Sequence, residues 1–222
     1  KIASEKINKL KAKQMPISSE EVKSFKENLP FKLTNAQERT IKEISDDISL
    51  AKPMRRLVQG DVGSGKTVVA AVSMYISAKN NTQSVLLCPT EVLAEQHFKN
   101  FSAWFENTDI KIDLLTGKMP VSKRRLIYQD LEDGLIDILI GTHAVFQDKV
   151  KMKNLGLVVV DEQQRFGVKQ RFDLVKKSSD QIMPHQLFMT ATPIPRTLAM
   201  TIFADLETSK IDELPPGRKP VE

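Results

Sequence analysis

Eight consecutive residues, Gly60-Asp61-Val62-Gly63-Ser64-Gly65-Lys66-Thr67, fit the pattern G-x-x-x-x-G-K-[ST]. Glycines at these places let backbone N–H groups wrap phosphate oxygens, and a helix beginning at the end of the loop adds partial positive charge. Lys66 is then expected to reach the β- and γ-phosphates of ATP, with the Thr67 hydroxyl on Mg²⁺. A second pair, Asp161-Glu162, closes the apolar run Leu157-Val158-Val159-Val160. In a parallel sheet, a carboxylate at such a strand end lies beside the phosphate loop. Asp161 is expected to hold Mg²⁺, directly or through water, and Glu162 to orient and deprotonate the attacking water. An adjacent acid pair favours hydrolysis of ATP over transfer to a second substrate.

Other strand ends carry hydroxyls and small residues. Pro89-Thr90-Glu91, Thr116-Gly117 and Gly141-Thr142-His143 each follow an expected strand. Such groups are good ligands for a nucleic-acid phosphate backbone. They are also ordinary helix caps, and pattern alone favours capping. His143 has no Cys or His partner at metal-binding spacing, which argues against a metal–imidazole site. Thr190-Ala191-Thr192 ends a further strand before Pro193 and Pro195. Its two hydroxyls could link a γ-phosphate to another element, or simply make a turn.

These residues need a frame that gathers strand ends. From Arg56 onward, short apolar runs alternate with amphipathic stretches. Strands are expected at 56–59, 84–88, 111–115, 136–140, 156–160 and 186–190, and helices at 66–79, 91–105, 121–132, 168–177 and 195–203. The unbroken apolar run 157–160 suits a central strand covered on both faces. Alternation at this spacing predicts right-handed βαβ units and an α/β fold with a mostly parallel sheet flanked by helices. Such sheets bind ligands at the carboxyl ends of their strands. Upstream, Ser18-Ser19-Glu20-Glu21 reads as a helix start, and Thr34 as the cap of a helix running to about Leu50 with Ile41, Ile44 and Ile48 on one face.

The chain of 222 residues suits one sizeable α/β domain with an extension. Its net charge of +5 first suggests nucleic acid, but residues 1–32 hold eight lysines against four glutamates, so most of the excess lies in the extension. No apolar run approaches the length of a membrane span, and no apolar signal segment opens the chain. The one cysteine, Cys88, sits in an apolar strand and reads as a core residue, and a cytoplasmic setting is expected. Expected divisions are a linker or helical extension over 1–30, the nucleotide-binding lobe over 31–214 and a linker over 215–222.

Taken together, the blocks Leu33-Thr34-Asn35-Ala36-Gln37, Gly60–Thr67, Pro89–His97, Gly141-Thr142-His143-Ala144, Asp161–Val168, Thr190–Met200 and Asp212–Arg218 resemble superfamily 2 helicases, and within them the RecG type. The Mfd-type translocases share the motor blocks and are the nearest rival, and a nucleotide-switched DNA-binding module that unwinds nothing is a further alternative. The resemblance implies a RecA-like ATP-binding lobe. It implies Lys66, Thr67, Asp161 and Glu162 as the ATPase centre, with Asp61, Val62 and Ser64 in the loop that holds the phosphates. It makes Gln37 the reader of adenine; Phe31 could stack on the base or equally anchor the core. The strand-end loops at Pro89–Glu91, Thr116-Gly117 and Gly141–His143 would face DNA, and Thr190–Thr192 would couple hydrolysis to strand movement. Where the family usually reads Asp-Glu-Gln-His, this chain has Gln164 last, which leaves the metal and base positions intact and bears on coupling alone. The implied partners are forked DNA and Holliday junctions, together with a wedge domain and a second motor lobe of the same protein. A monomer is expected. An arginine supplied across the cleft contributes roughly 10³–10⁵ in rate in related enzymes, so this lobe alone is expected to hydrolyse ATP barely, if at all.

Overall fold

The computed structural model describes residues 11–162, 182–192 and 206–215. In chain order the elements are α1 (Ser19–Glu27), α2 (Asn35–Ile48), β1 (Arg55–Gly60), α3 (Lys66–Lys79), β2 (Gln83–Leu87), α4 (Glu91–Trp104), β3 (Ile112–Leu115), α5 (Val121–Asp133), β4 (Ile138–Gly141), a 3₁₀ turn (His143–Phe146), β5 (Leu155–Val160), β6 (His185–Thr190) and β7 (Glu207–Ile211). All strand pairs are parallel, in the order β3-β4-β2-β5-β6-β1-β7. The six strands and the first three helices expected from 66 onward fall where the sequence places them. The helices expected at 168–177 and 195–203 lie outside the described residues.

Alternate residues on each strand feed opposite layers, because successive strand side chains point to opposite faces. Val58, Leu86, Leu157, Val159 and Leu187 join the layer with α1 to α4. Leu57, Val85, Leu87, Val158, Val160 and Phe188 join the layer with Ile127 and Leu131 of α5. The central strands β2, β5 and β6 are buried along their whole length, and the edge strand β7 is buried only at Ser209 and Ile211. That pattern explains why β7 is invisible in the sequence: Glu-Thr-Ser-Lys-Ile offers no apolar run. Pairing with β1 and a polar clamp hold it, the Arg56 guanidinium donating to Ser209 Oγ (2.8 Å), Asp47 (2.9 Å) and Glu43 (3.2 Å).

α3 is buried from Val68 to Ala78, and α1 and α2 pack over it. α1 starts with a capping box: Ser18 Oγ accepts from the Glu21 N–H, while the Glu21 carboxylate accepts from the Ser18 N–H. Phe25 of α1 is 2% exposed and stacks on Tyr75 of α3 at 4.3 Å between centroids.

The stretch expected over 1–30 as a linker or helical extension is helical at Ser19–Glu27, and its described part packs into the core rather than standing apart from it. Met15, Val22, Phe25 and Leu29 belong to the main core. Residues 11–15 cross the lower edge of the sheet: the Ala12 N–H donates to Ala51 O (2.7 Å), Met15 N–H to Ile48 O (2.8 Å) and Met183 N–H to Lys11 O (2.8 Å). A lysine-rich composition hides this, because the apolar residues that anchor the segment are too few and too irregularly spaced to show a period.

Candidate nucleotide-binding and hydrolysis site

The sheet order sorts the candidate residues along its carboxyl edge. The phosphate loop leaves β1, Thr190–Thr192 leave β6, and Asp161-Glu162 leave β5. Beyond these come Pro89–Glu91 after β2, Gly141–His143 after β4 and Thr116-Gly117 after β3. Adjacent strands lie about 4.8 Å apart, so the loop and the acid pair are separated by about 10 Å, with the threonines between them. The expected DNA-facing loops occupy the other half of the edge.

Gly63 and Gly65 of the loop have positive φ, 84° and 82°. Gly65 is also the N-cap of α3, which has no side-chain cap, so the first N–H groups of this buried helix stay open to a ligand. The Lys66 ammonium donates to the carbonyls of Gly60 (2.6 Å) and Asp61 (3.0 Å). Burial lowers its pKa, and the nearby charges of Asp161, Glu162 and Asp61 oppose that shift. The loop's lysine and the acid pair are thus brought within electrostatic reach of each other. Asp61 and Val62 form the exposed tip, while Ser64 is buried.

Gln37 is 2% exposed and bonds within the protein through both amide atoms. Its Oε1 accepts from the Thr34 N–H (2.9 Å) in a capping box, and its Nε2 donates to Ser64 O in the phosphate loop (2.8 Å). An amide read in the sequence as an adenine contact therefore also fastens helix α2 to the loop. Phe31 is no core anchor: it is 41% exposed, with Trp104 edge-on at 5.6 Å, and it lines an open groove of about 730 Å³ with Lys26, Lys32 and Leu33.

Asp161 is 9% exposed, its N–H donating to Leu87 O (2.9 Å). Its Oδ2 accepts a 2.8 Å hydrogen bond from Nε2 of His97, a buried residue of α4. Sequence reasoning assigned no role to His97 beyond its place at the end of the block Pro89–His97. The available signal was its place with Ala94 and Phe101 on the buried face of α4. Glu162 has φ 52°, the left-handed region that is unusual for a residue with a long side chain and recurs at functional sites. The candidate cation donors, Thr67 and Asp161, are oxygen ligands and few in number, and among the described residues no group of three or more His, Cys, Asp or Glu side chains could hold a metal by itself. That set fits Mg²⁺, which takes one or two protein oxygens and completes its shell with waters and phosphate oxygens.

At the other half of the edge, Thr90 caps α4 by accepting from the Leu93 N–H (3.3 Å), as pattern alone favours. Glu91 pairs with Lys118 (2.8 Å) beside Gly117, which holds its carboxyl below the usual range. Thr116 and Thr142 are buried, and His143 is exposed. Gly141 has no room for a side chain: a Cβ would meet Leu115 O at 2.6 Å. Thr190 Oγ1 accepts from the Thr192 N–H (3.2 Å) and lies 3.1 Å from Thr192 Oγ1, a hydroxyl turn around Ala191. Gln164 lies outside the described residues.

The family model for DEAD/DEAH box helicases matches residues 34–201. The chain is 50% identical over 217 residues to an ATP-dependent DNA helicase RecG of Aquifex aeolicus (strain VF5), covering 98% of this chain and 27% of that protein. It is 54% identical over 195 residues to the RecG of Escherichia coli (strain K12), covering 87% of this chain and 28% of the relative. The chain therefore spans about a quarter of the length of these relatives. A solved structure of RecG bound to a three-way DNA junction superposes with a TM-score of 0.84 at 40% identity, over 99% of this chain and 29% of that one.

Proposed function

Because the chain belongs to the DEAD/DEAH box helicases, we propose that it is the first motor lobe of a RecG-type helicase that remodels branched DNA with the energy of ATP hydrolysis. The observation that carries this reading is the sorted carboxyl edge: phosphate loop, hydroxyl turn and acid pair on three adjacent strands, with three small-residue loops beyond them. The resemblance to RecG at about half of all positions supports the RecG type over the Mfd type.

In this reading the open N-terminal N–H groups of α3 and the glycine loop take the α- and β-phosphates. Lys66 leaves the Gly60 and Asp61 carbonyls for the γ-phosphate. Thr67 and Asp161 would hold Mg²⁺, which when bound would supply positive charge against the phosphate oxygens. Glu162 orients and deprotonates the attacking water. Phe31 stacks on the base while Gln37 contacts adenine, so base binding acts on the amide that also grips Ser64 O. The hydroxyl turn Thr190–Thr192, lying between β1 and β5, is placed to respond to the γ-phosphate. Thr90, Gly117 and His143, the exposed residues of these loops, face the DNA backbone, whereas the buried Thr116 and Thr142 hold the loops from beneath. A second lobe supplies the arginine that completes the site.

The test is ATP hydrolysis by the full-length protein with linear, forked and four-way DNA, repeated for Glu162→Gln. The proposal expects stimulation strongest on branched DNA, and a variant that binds ATP and stalls. Remodelling that survives Glu162→Gln would favour a nucleotide-switched binding module, and equal stimulation by linear duplex would count against the RecG type.

A further inference from the structure

Helix α4 reaches the residue that follows strand β5 through a polar contact, His97 Nε2 to Asp161 Oδ2 at 2.8 Å. Both side chains are nearly sequestered, 9% and 12% exposed. A carboxylate only accepts hydrogen bonds, so Nε2 carries the proton. The other ring nitrogen, Nδ1, is buried with no partner among the described residues. An imidazole that leaves one nitrogen orphaned is a poor filler for an apolar helix face, where a leucine beside Ala94 and Phe101 would leave nothing unsatisfied. The carboxylate is the polar partner this imidazole does have.

We infer that His97 is a positioning residue: it pins Oδ2 of Asp161, fixes the rotation of the carboxylate and leaves Oδ1 as the oxygen offered to the cation of a bound nucleotide. The inference rests on the reading of Asp161 as the cation-holding acid. It adds a group from α4, 64 residues away in sequence, which touches neither nucleotide nor metal. The backbone of Asp161 is tied to Leu87 O, so the remaining freedom at this acid is the turn of its side chain, and that is what the imidazole removes. Partners of this kind set metal affinity through the ligand they orient.

The test compares His97→Leu, which keeps volume and loses the donor, with His97→Gln, which keeps an N–H donor. Binding of a fluorescent ADP analogue to the chain is measured in EDTA and across a Mg²⁺ titration, with thermal unfolding alongside. The expected result is that His97→Leu needs at least about tenfold more Mg²⁺ for half-maximal enhancement. His97→Gln recovers most of that loss, and metal-free binding stays unchanged in both. A His97→Leu titration that matches wild type, or equal shifts in the two variants, overturns the inference. If His97→Leu does not unfold cooperatively, the unmodified chain decides by nitrogen-15 imidazole spectra. The His97 Nε2 signal must then respond when Mg²⁺ is added to the ADP complex, and an unmoved signal overturns the inference. A wild-type chain that binds nucleotide with no Mg²⁺ dependence would instead sink the reading of the site itself.

Discussion

Gly65→Ala tests the joint between helix α2 and the phosphate loop. Gly65 has φ +82°, and a Cβ built there would lie 2.1 Å from Gln37 Nε2. The end of a glutamine is normally free to swing away, but this one is buried at 2% exposure and held at both amide atoms, by Ser64 O and the Thr34 N–H. Two penalties follow. A left-handed non-glycine residue costs about 1–2 kcal/mol. Displacing the amide breaks the Ser64 bond and leaves buried polar groups unpaired, about 1–3 kcal/mol. The sum is about 2–5 kcal/mol, a large share of a typical domain's total stability. Gly63→Ala, at φ 84°, serves as the backbone control and should lose only the first penalty. Urea unfolding of both variants, and of Gly65→Ala combined with Gln37→Ala, measures the coupling. Removing the Gln37 side chain takes away the obstacle, so the double variant should be more stable than additivity allows by about 2 kcal/mol. Equal losses for Gly63→Ala and Gly65→Ala, or strict additivity in the cycle, would refute this account of the joint.

Two further outcomes are expected. Phe25→Ala should destabilise the chain by about 3–5 kcal/mol in denaturant unfolding, because it empties a buried aromatic site against Tyr75, whereas a mere linker residue would change nothing. His185 is fully buried, its Nδ1 accepting from the Met54 N–H (2.9 Å) and its Nε2 donating to Lys13 O (2.7 Å), and burial lowers its pKa below 6.5. The unfolded chain therefore takes this proton first, so stability should be full above that pH and decline as pH falls below it. His185→Gln, in thermal melts between pH 5 and 8, should flatten that decline.

The strands of the sheet could be read from the sequence wherever burial is two-sided, since runs such as Leu157–Val160 have no other use in a chain of this composition. The phosphate loop and the acid pair were equally plain, because each needs particular residue types in particular order. What escaped depends on tertiary pairing. β7 is held by β1 and by the Arg56 clamp rather than by its own pattern. The double bonding of Gln37 and the His97–Asp161 contact join residues 27 and 64 apart in sequence. No local period can announce such pairs. The order of the strands likewise brings together loops that the sequence scatters across the chain.

Helix α4 has a mechanical consequence. Its first residue, Glu91, is gripped by Lys118 at the end of the edge proposed to face DNA, and His97 holds Asp161 at the other. The two contacts are six positions apart, about 9 Å along a helix axis. A segment this short does not bend appreciably, so the helix is a rod with one contact at its first residue and one halfway along. A displacement of the loop at Lys118 would reach the acid as a tilt of that rod, with no relay of side chains in between.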